Sequence, residues 1–310
     1  MPKISVVVPV YRSKDSLKEL HRRLGEVLPA LADDYEVLFV EDDGNDGSWA
    51  IITDLAEADS HVKGFRLNRN FGQHNALLCG IRQSKGDIVV TIDDDLQNPP
   101  EEIPKLIETL NEGHDVVYGT PERERHGLLR DLASRITKFA LQSTMGAKTA
   151  RSVSAFRAFR GSLRKAFQEY RGSYVSVDVL LTWGTTRFAA LTVRHDPRTL
   201  GTSQYTLRKL MRHAMNMMTG FSVMPLRFAS FMGLFFTFFG ISILVYVLIR
   251  YFVERTSPPG FAFLASIIPI FSGAQLFALG IIGEYLARMH FRLMDRPAYL
   301  VREETGTDMP

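Results

Sequence analysis

Residues 87–101 read DIVVTIDDDLQNPPE, an apolar run that leads into a group of acids. Its first half, Asp87–Ile92, is apolar or β-branched after the first residue and predicts a strand buried on both faces. The strand runs directly into three acids, Asp93, Asp94 and Asp95. A parallel sheet binds ligands beyond the carboxyl ends of its strands, so these acids are expected to lie at a ligand site.

Similar apolar runs occur at regular intervals on both sides of this stretch, and segments with helical spacing of Leu, Ile and Ala separate them. Repeated alternation of buried strands and helices predicts an α/β domain with a mostly parallel sheet covered on both faces. The five predicted strands are Ile4–Val10, Glu36–Val40, Val62–Leu67, Asp87–Ile92 and Val116–Tyr118.

The acids at the strand ends suggest a metal. Three consecutive carboxylates repel one another unless a cation lies among them, and Asp93 and Asp95, two residues apart, can point to the same side of an extended chain. Hard oxygen ligands favour Mg²⁺ or Mn²⁺ shared with substrate phosphates. A solvated acidic turn is the alternative. A second acidic turn, Glu41–Gly44, follows the second strand.

Composition excludes several classes of protein. A net charge of +3 gives no general case for nucleic acid, and the single cysteine excludes an intramolecular disulfide. Cys79 ends an apolar stretch, which favours a packed core thiol over a nucleophile. The glycine-rich phosphate motifs of dinucleotide oxidoreductases and P-loop kinases are missing, so diphosphate binding falls to a metal and to basic side chains. The candidates are Arg69, Arg123, Arg125, Arg130 and Arg198.

The C-terminal third predicts a membrane hairpin. Phe228–Ile249 and Gly260–Gly283 contain no charged residue, and each is long enough to cross a bilayer as a helix. The alternative is a pair of buried helices in a soluble core. Arginines and lysines cluster before the first run and after the second, which places both ends of the hairpin in the cytoplasm.

These patterns divide the chain into four parts. The segment before the hairpin has an apolar face and a basic face, which is typical of a helix in the membrane interface, although it could also pack on the soluble domain. The predicted parts are a cytoplasmic domain 1–202, an amphipathic helix 203–226, a transmembrane hairpin 227–288 with helices 228–250 and 260–284, and a cytoplasmic tail 289–310.

Several motifs together resemble the family 2 glycosyltransferases, in particular the polyprenyl-phosphate sugar transferases. This subgroup includes dolichol-phosphate mannosyltransferase, bacterial GtrB-type glucosyl transferases and undecaprenyl-phosphate 4-deoxy-4-formamido-arabinose transferase. The motifs are Pro9-Val10-Tyr11, Asp42-Asp43-Gly44, Arg69–His74, Asp93–Glu101, and Gly283-Glu284-Tyr285 followed by Arg296–Tyr299.

The resemblance implies a GT-A fold, a UDP- or GDP-linked sugar donor, a polyprenyl phosphate acceptor, and inversion at the anomeric carbon. It places a divalent metal, Mg²⁺ or Mn²⁺, at Asp93 and Asp95. It also implies a bacterial-type inner-membrane location and a homo-oligomer, a tetramer in relatives. The residues expected at the nucleotide are Pro9, Tyr11, Asp42, Asp43, Arg69 and Asp94.

The chemistry of such an acceptor explains the arginines. A lipid phosphate is already an anion near pH 7 and needs no base, but cations must bring it to a second anion. Arg125, Arg130 and Arg198 are the candidates for this task, and Asp178 is a candidate catalytic carboxylate, either a base or a ligand of a sugar hydroxyl. The alternatives are a processive polysaccharide synthase, whose Gln-x-x-Arg-Trp motif is missing, and a non-catalytic nucleotide-binding scaffold.

Overall fold

The computed structural model describes residues 2–121, 153–172, 175–197, 224–254, 260–294 and 296–306. The chain divides into two compact units. The first unit is Met1–Met211 together with Asp295–Pro310, and the second is Arg212–Met294.

The first unit is built on an eight-stranded mixed sheet in the order β7-β5-β6-β4-β1-β2-β3-β8. The four central strands, β4, β1, β2 and β3, are parallel, whereas β6 and β8 run antiparallel to their neighbours. This confirms the predicted α/β domain with a mostly parallel sheet. The strands are β1 Ile4–Val10, β2 Tyr35–Glu41, β3 Val62–Leu67, β4 Ile88–Thr91, β5 Val116–Pro121, β6 Arg157–Arg160, β7 Phe188–Val193 and β8 Val301–Thr305.

Helices connect the parallel strands and cover the sheet, as crossover connections in such sheets require. The described helices of this unit are α1 Leu17–Val27, α2 Ser48–Ala58, α3 Gln73–Gln83, α4 Ile103–Asn111, α5 Lys165–Gln168 and α6 Val177–Gly184.

Both faces of β1 are buried, which explains its unbroken apolar sequence. On one face, the core includes Leu20 and Leu24 of α1 and Leu106 of α4. On the other face α3 lies so close to β1 that a Cβ at Gly80 would collide with the side chain of Val7. Cys79 is buried in the same helix, and burial raises the pKa of its thiol to about 12. The predicted core thiol is confirmed.

The described residues of the second unit form two long helices, α7 Met224–Glu254 and α8 Gly260–Leu293. They contact each other through the rings of Phe236 and Phe271, whose centroids are 5.5 Å apart. Among the described residues, one stretch, Pro225–Ile243, is long and apolar enough to cross a bilayer. Its mean hydropathy is 1.6, and only 6% of this apolar segment is buried. The predicted two-helix transmembrane hairpin is therefore supported for its first helix only.

The chain returns to the sheet after α8. Strand β8 pairs antiparallel with β3 and forms one edge of the sheet. The sequence predicted a cytoplasmic tail, 289–310, in this part of the chain and did not predict a strand. The sequence of β8, VREET, is polar and mostly exposed, which is typical of an edge strand, and it contains no apolar run that would predict a strand.

Candidate active site at the carboxyl ends of the central strands

Strained backbone marks the carboxyl edge of the sheet. Within the described segments, four residues other than glycine have φ in the left-handed region, between 51° and 60°, where L side chains are disfavoured. Each follows β1, β2 or β4, which are three of the four central strands, and strain at this position points to a functional site. These residues are Arg12, Asp43, Asn45 and Leu96.

The loops after these three strands meet at Val10 and Tyr11. The backbone N–H of Asp42 donates to the carbonyl of Val10 at 2.9 Å. The backbone N–H of Tyr11 donates to Oδ2 of Asp94 at 3.0 Å. The structure therefore brings the predicted residues of all three loops into one place.

The three consecutive acids make hydrogen bonds to different partners. Asp93 Oδ1 accepts a hydrogen bond from the side-chain amide of Gln73 at 2.7 Å, whereas Asp94 faces the β1 loop. Asp95 Oδ1 accepts the backbone N–H of Gln97 at 3.2 Å, which closes a tight turn.

Burial, together with the charges of neighbouring acids, raises the pKa of two of these carboxylates. Burial raises the pKa of Asp93 to about 7, and the charges of Asp95 and Asp94 add to this increase. Arg157 and Gln73 oppose it. Burial likewise raises the pKa of Asp94 to about 6. A cation at this point would therefore stabilise the ionised acids.

The acids fit a metal that a substrate helps to hold. In the described part of the chain no group of three or more His, Cys, Asp or Glu side chains forms a closed metal site. Mg²⁺ is often held by one or two carboxylates and substrate phosphates, and retains water. Asp93 and Asp95 suit that role better than the role of a metal cage.

The carboxylate of Asp42 accepts hydrogen bonds from the backbone of the loop that follows β3. Its Oδ1 accepts the N–H of Phe71 at 2.7 Å and its Oδ2 the N–H of Gly72 at 2.8 Å. Gly72 has φ 94°, a conformation that glycine adopts without strain. Burial raises the pKa of Asp42 to about 6, although these two N–H groups act in the opposite direction. Asp42 thus fixes the loop that carries Arg69.

The other predicted nucleotide residues lie at the same edge. Pro9 is buried near the end of β1, and the ring of Tyr11 is exposed beside the guanidinium of Arg12, 5.3 Å from its centroid. Asp43 is half-buried in the turn after β2. Arg69 is exposed and lies over the ring of Phe71, at 4.5 Å.

A buried ion pair joins strand β6 to helix α6. Asp178, at the start of α6, accepts hydrogen bonds from Arg157 and, at 3.2 Å, from the hydroxyl of Tyr118. Arg157 is 2% exposed and Asp178 6% exposed. The sequence predicted Asp178 as a site residue but not Arg157, because β6 is only four residues long and its two arginines enclose two apolar residues, without the alternation that predicts a strand.

The residues just before Arg198 contact the segment that follows the three acids Asp93–Asp95. The backbone N–H of Asp196 donates to the carbonyl of Gln97 at 2.8 Å, and a ring nitrogen of His195 lies 3.3 Å from the side-chain oxygen of Asn98. The three predicted acceptor-phosphate residues, Arg125, Arg130 and Arg198, lie outside the described residues, as does Arg123 and most of the predicted amphipathic helix 203–226.

Solved structures share this fold. The crystal structure of glucosyl-3-phosphoglycerate synthase from Mycobacterium tuberculosis, in complex with Mn²⁺, UDP and phosphoglyceric acid, matches with a TM-score of 0.51. The two chains are 20% identical, and the match covers 70% of this chain and 76% of that one. At this level the similarity concerns the GT-A fold.

Sequence relatives match over almost the whole chain. A protein of Enterobacter sp. (strain 638) named undecaprenyl-phosphate 4-deoxy-4-formamido-L-arabinose transferase is 35% identical over 303 residues, which are 97% of this chain and 93% of that protein. A protein of the same name from Yersinia enterocolitica serotype O:8 / biotype 1B (strain NCTC 13174 / 8081) is 33% identical over 309 residues, 99% of this chain and 94% of that protein. The model of the family described as "Glycosyl transferase family 2" matches residues 5–171. The carboxylates at the sheet edge thus belong to a glycosyltransferase, and the chain is a member of glycosyl transferase family 2.

Proposed function

We propose that this glycosyltransferase moves a sugar from a nucleotide diphosphate sugar to a polyprenyl phosphate at the cytoplasmic face of a bacterial inner membrane. The observation that carries the proposal is the agreement between nearly full-length relatives that are named for an undecaprenyl-phosphate acceptor and the cluster of acids at the sheet edge. The name of these relatives also makes 4-deoxy-4-formamido-L-arabinose the first sugar to test.

The donor would bind across the three loops that meet at Tyr11. The exposed ring of Tyr11 and the turn at Asp43 would contact the base and ribose, with Pro9 and Asp42 holding the backbone beneath them. Arg69 would lie near the phosphates. A divalent metal, Mg²⁺ or Mn²⁺, held by Asp93 and Asp95, would stabilise the charge of the leaving diphosphate.

The hydrogen bonds of the three acids support different roles for them. Asp94 holds the Tyr11 loop through a hydrogen bond. Asp93 accepts a hydrogen bond from Gln73 and Asp95 accepts one from the Gln97 amide. A carboxylate has about four lone-pair sites, so each acid can accept such a bond and also coordinate a metal.

The acceptor phosphate would bind to arginines and attack without a base. Arg125, Arg130 and Arg198 are proposed for this role, since guanidinium groups bind phosphate through paired hydrogen bonds. The bond between Asp196 and Gln97 supports the choice of Arg198, because it holds the chain two residues earlier at the metal motif. Lipid phosphate oxygen would form the new bond to the anomeric carbon, and the nucleoside diphosphate would leave from the opposite face, with inversion.

The membrane part would anchor the enzyme in the bilayer that contains the lipid acceptor. We propose two spans, 228–250 and 260–284, with the catalytic domain and both termini in the cytoplasm. The apolar stretch Pro225–Ile243 supports the first span, and the basic residues on both sides of the pair support the orientation. A homo-oligomer of such helices is a further expectation.

The test is a reaction with the purified full-length protein in detergent. Undecaprenyl phosphate, Mg²⁺ or Mn²⁺, and a panel of UDP- and GDP-sugars that includes the formamido-arabinose donor would be supplied, and released nucleoside diphosphate measured. Lipid-dependent release with one donor is the expected result. Binding of UDP or GDP without any release would favour a non-catalytic scaffold, and release with chain extension of a sugar polymer would favour a synthase.

A further inference from the structure

A row of three charged residues crosses three neighbouring strands at the edge of the sheet. In the strand register, Glu41 of β2 is opposite Arg66 of β3, and Arg66 is opposite Glu303 of β8. The middle residue is the cation, so the two carboxylates share it. The row therefore links Glu41, the last residue of β2, to Glu303 of β8, which lies 262 residues later in the chain. The candidate nucleotide turn follows Glu41.

The contact of Arg66 with Glu303 is shorter than its contact with Glu41. Its Nη1 donates to Glu303 Oε1 at 3.1 Å, while its Nε lies 3.4 Å from Glu41 Oε2. The second contact is an ion pair without hydrogen-bond geometry, and these two atoms have no other hydrogen-bond partner in the described structure. The position of the guanidinium therefore depends on Glu303, which also accepts the indole N–H of Trp49 at 2.9 Å.

The other end of the row holds the turn after β2. Glu41 Oε1 accepts the backbone N–H of Gly44 at 2.5 Å, and Glu41 also interacts with the backbone N–H of Asp43. Asp43 and Asn45 have left-handed φ of 52° and 51°. A strained turn of this kind persists only when surrounding contacts fix it.

We propose that Glu303, Arg66 and Glu41 are positioning residues, through which the C-terminal strand β8 holds the Asp43–Asn45 turn in the conformation that binds the donor nucleotide. The role in binding rests on the proposed function, whereas the role in ordering the turn does not. The segment that follows the membrane helices thereby becomes part of the donor site without touching the nucleotide.

The physical reason is the loss of a fixed counter-charge. Glu41 is a buried carboxylate, 2% exposed in its side chain, and Arg66 is its cation. If Glu303 no longer aligns the guanidinium, the ionised form of Glu41 is less favoured, and a protonated carboxyl is a weaker acceptor for the two turn amides.

The decisive variant is Glu303→Gln in the full-length protein. Glutamine keeps the shape of the side chain and an oxygen for the indole of Trp49, but it removes the charge that aligns Arg66. The matched control is Glu304→Gln, the same change at the next residue of β8. Successive side chains of a strand point to opposite faces, so Glu304 lies off the row.

Two readouts separate the role in positioning from a general loss of stability. The first is hydrogen exchange of a peptide that contains Asp43 and Gly44, and the second is binding of UDP and of GDP, each with Mg²⁺, by calorimetry. We expect Glu303→Gln to speed exchange in that peptide and to weaken nucleotide binding by about 2- to 5-fold each, as for the loss of a half-exposed ion pair. Glu304→Gln should match the wild-type protein in both.

Equal exchange in the two variants would overturn the proposal, even if thermal stability changed in both. If the wild-type protein binds neither nucleotide, the proposed donor class fails, and exchange alone then decides whether the row orders the turn. Faster exchange with unchanged nucleotide binding would overturn the role in donor binding.

Discussion

Asp94 and Tyr11 join the metal motif to the nucleotide loop: Oδ2 of Asp94 lies 3.0 Å from the backbone nitrogen of Tyr11 and accepts its N–H. The two residues belong to loops that follow adjacent parallel strands, β4 and β1. The middle acid of the motif thus holds the two loops together, and the acids on either side of it are the proposed metal ligands.

Removing this tie should weaken donor binding. Asp94→Ala should raise the apparent donor KM about tenfold, because a hydrogen bond to a charged group contributes about 1.5 kcal/mol. Asp94→Asn retains an oxygen that can accept the N–H of Tyr11, and its KM should rise less. Steady-state kinetics over a range of donor concentrations measures both, and an equal rise in the two variants would contradict the tie.

Neutralising a proposed metal ligand should remove turnover but preserve the fold. Asp95→Asn should lower metal-dependent release of nucleoside diphosphate by at least about 100-fold, the scale expected when electrostatic stabilisation of a leaving group is lost. Its thermal unfolding should match that of the wild-type protein. Asp54→Asn, the same change at an exposed position of α2, is the control. Full activity of Asp95→Asn would refute the metal assignment.

The central strands could be predicted because burial on both faces makes their sequences continuously apolar. Val6 and Val89 lie in such runs, and both are fully buried. The carboxyl-end acids follow from the same strands, so most of the candidate site was also predictable. The place where the loops after β1, β2 and β4 meet follows from the strand order, in which β1 lies between β2 and β4.

Two strands outside this central group, β6 and β8, have no comparable apolar run. In β6, Arg157 and Arg160 flank two apolar residues, and in β8 Glu303 and Glu304 face solvent in part. Pairing with β4, β5 and β3 determines these strands, and pairing between distant segments leaves no periodic pattern in the sequence. For the same reason the contacts of Arg157 and Arg66 could be found only in the structure.

Breaking the buried ion pair should destabilise the domain. Asp178→Asn leaves the charge of Arg157 buried without its carboxylate, and such changes cost about 3–5 kcal/mol. The thermal unfolding temperature should therefore fall clearly, and turnover measured well below it should be retained in large part. The double variant Arg157→Met, Asp178→Leu should recover much of the stability. A folded Asp178→Asn variant with kcat lowered 100-fold or more would instead support Asp178 as a catalytic base.

A second buried carboxylate makes stability depend on pH. Burial alone would raise the pKa of Glu36, but hydrogen bonds from Ser5, from the Lys85 amide and from Lys63 lower it below its ordinary value of 4.5. Because the pKa is lower in the folded state, these contacts contribute stability above pH 4.5 and lose it as the pH falls through the folded-state value.

The unfolding temperature should therefore decrease as the pH falls below about 4.5, and part of this decrease should be missing in Glu36→Gln. Glu57→Gln, at an exposed site on α2, is the control and should follow the wild-type curve. Parallel curves for all three proteins would show that Glu36 does not contribute.

The proposed hairpin makes a prediction about labelling from the two sides of the membrane. The only natural thiol, Cys79, is buried with a pKa of about 12, so it should react little with a maleimide. A cysteine at Ser257, in the link between the two predicted spans, should react with a membrane-impermeant maleimide on intact cells. A cysteine at Glu57, in the catalytic domain, should react only after the membrane is opened. Labelling of both positions from the same side would contradict two spans, because a link between two spans lies across the bilayer from the domain that precedes them.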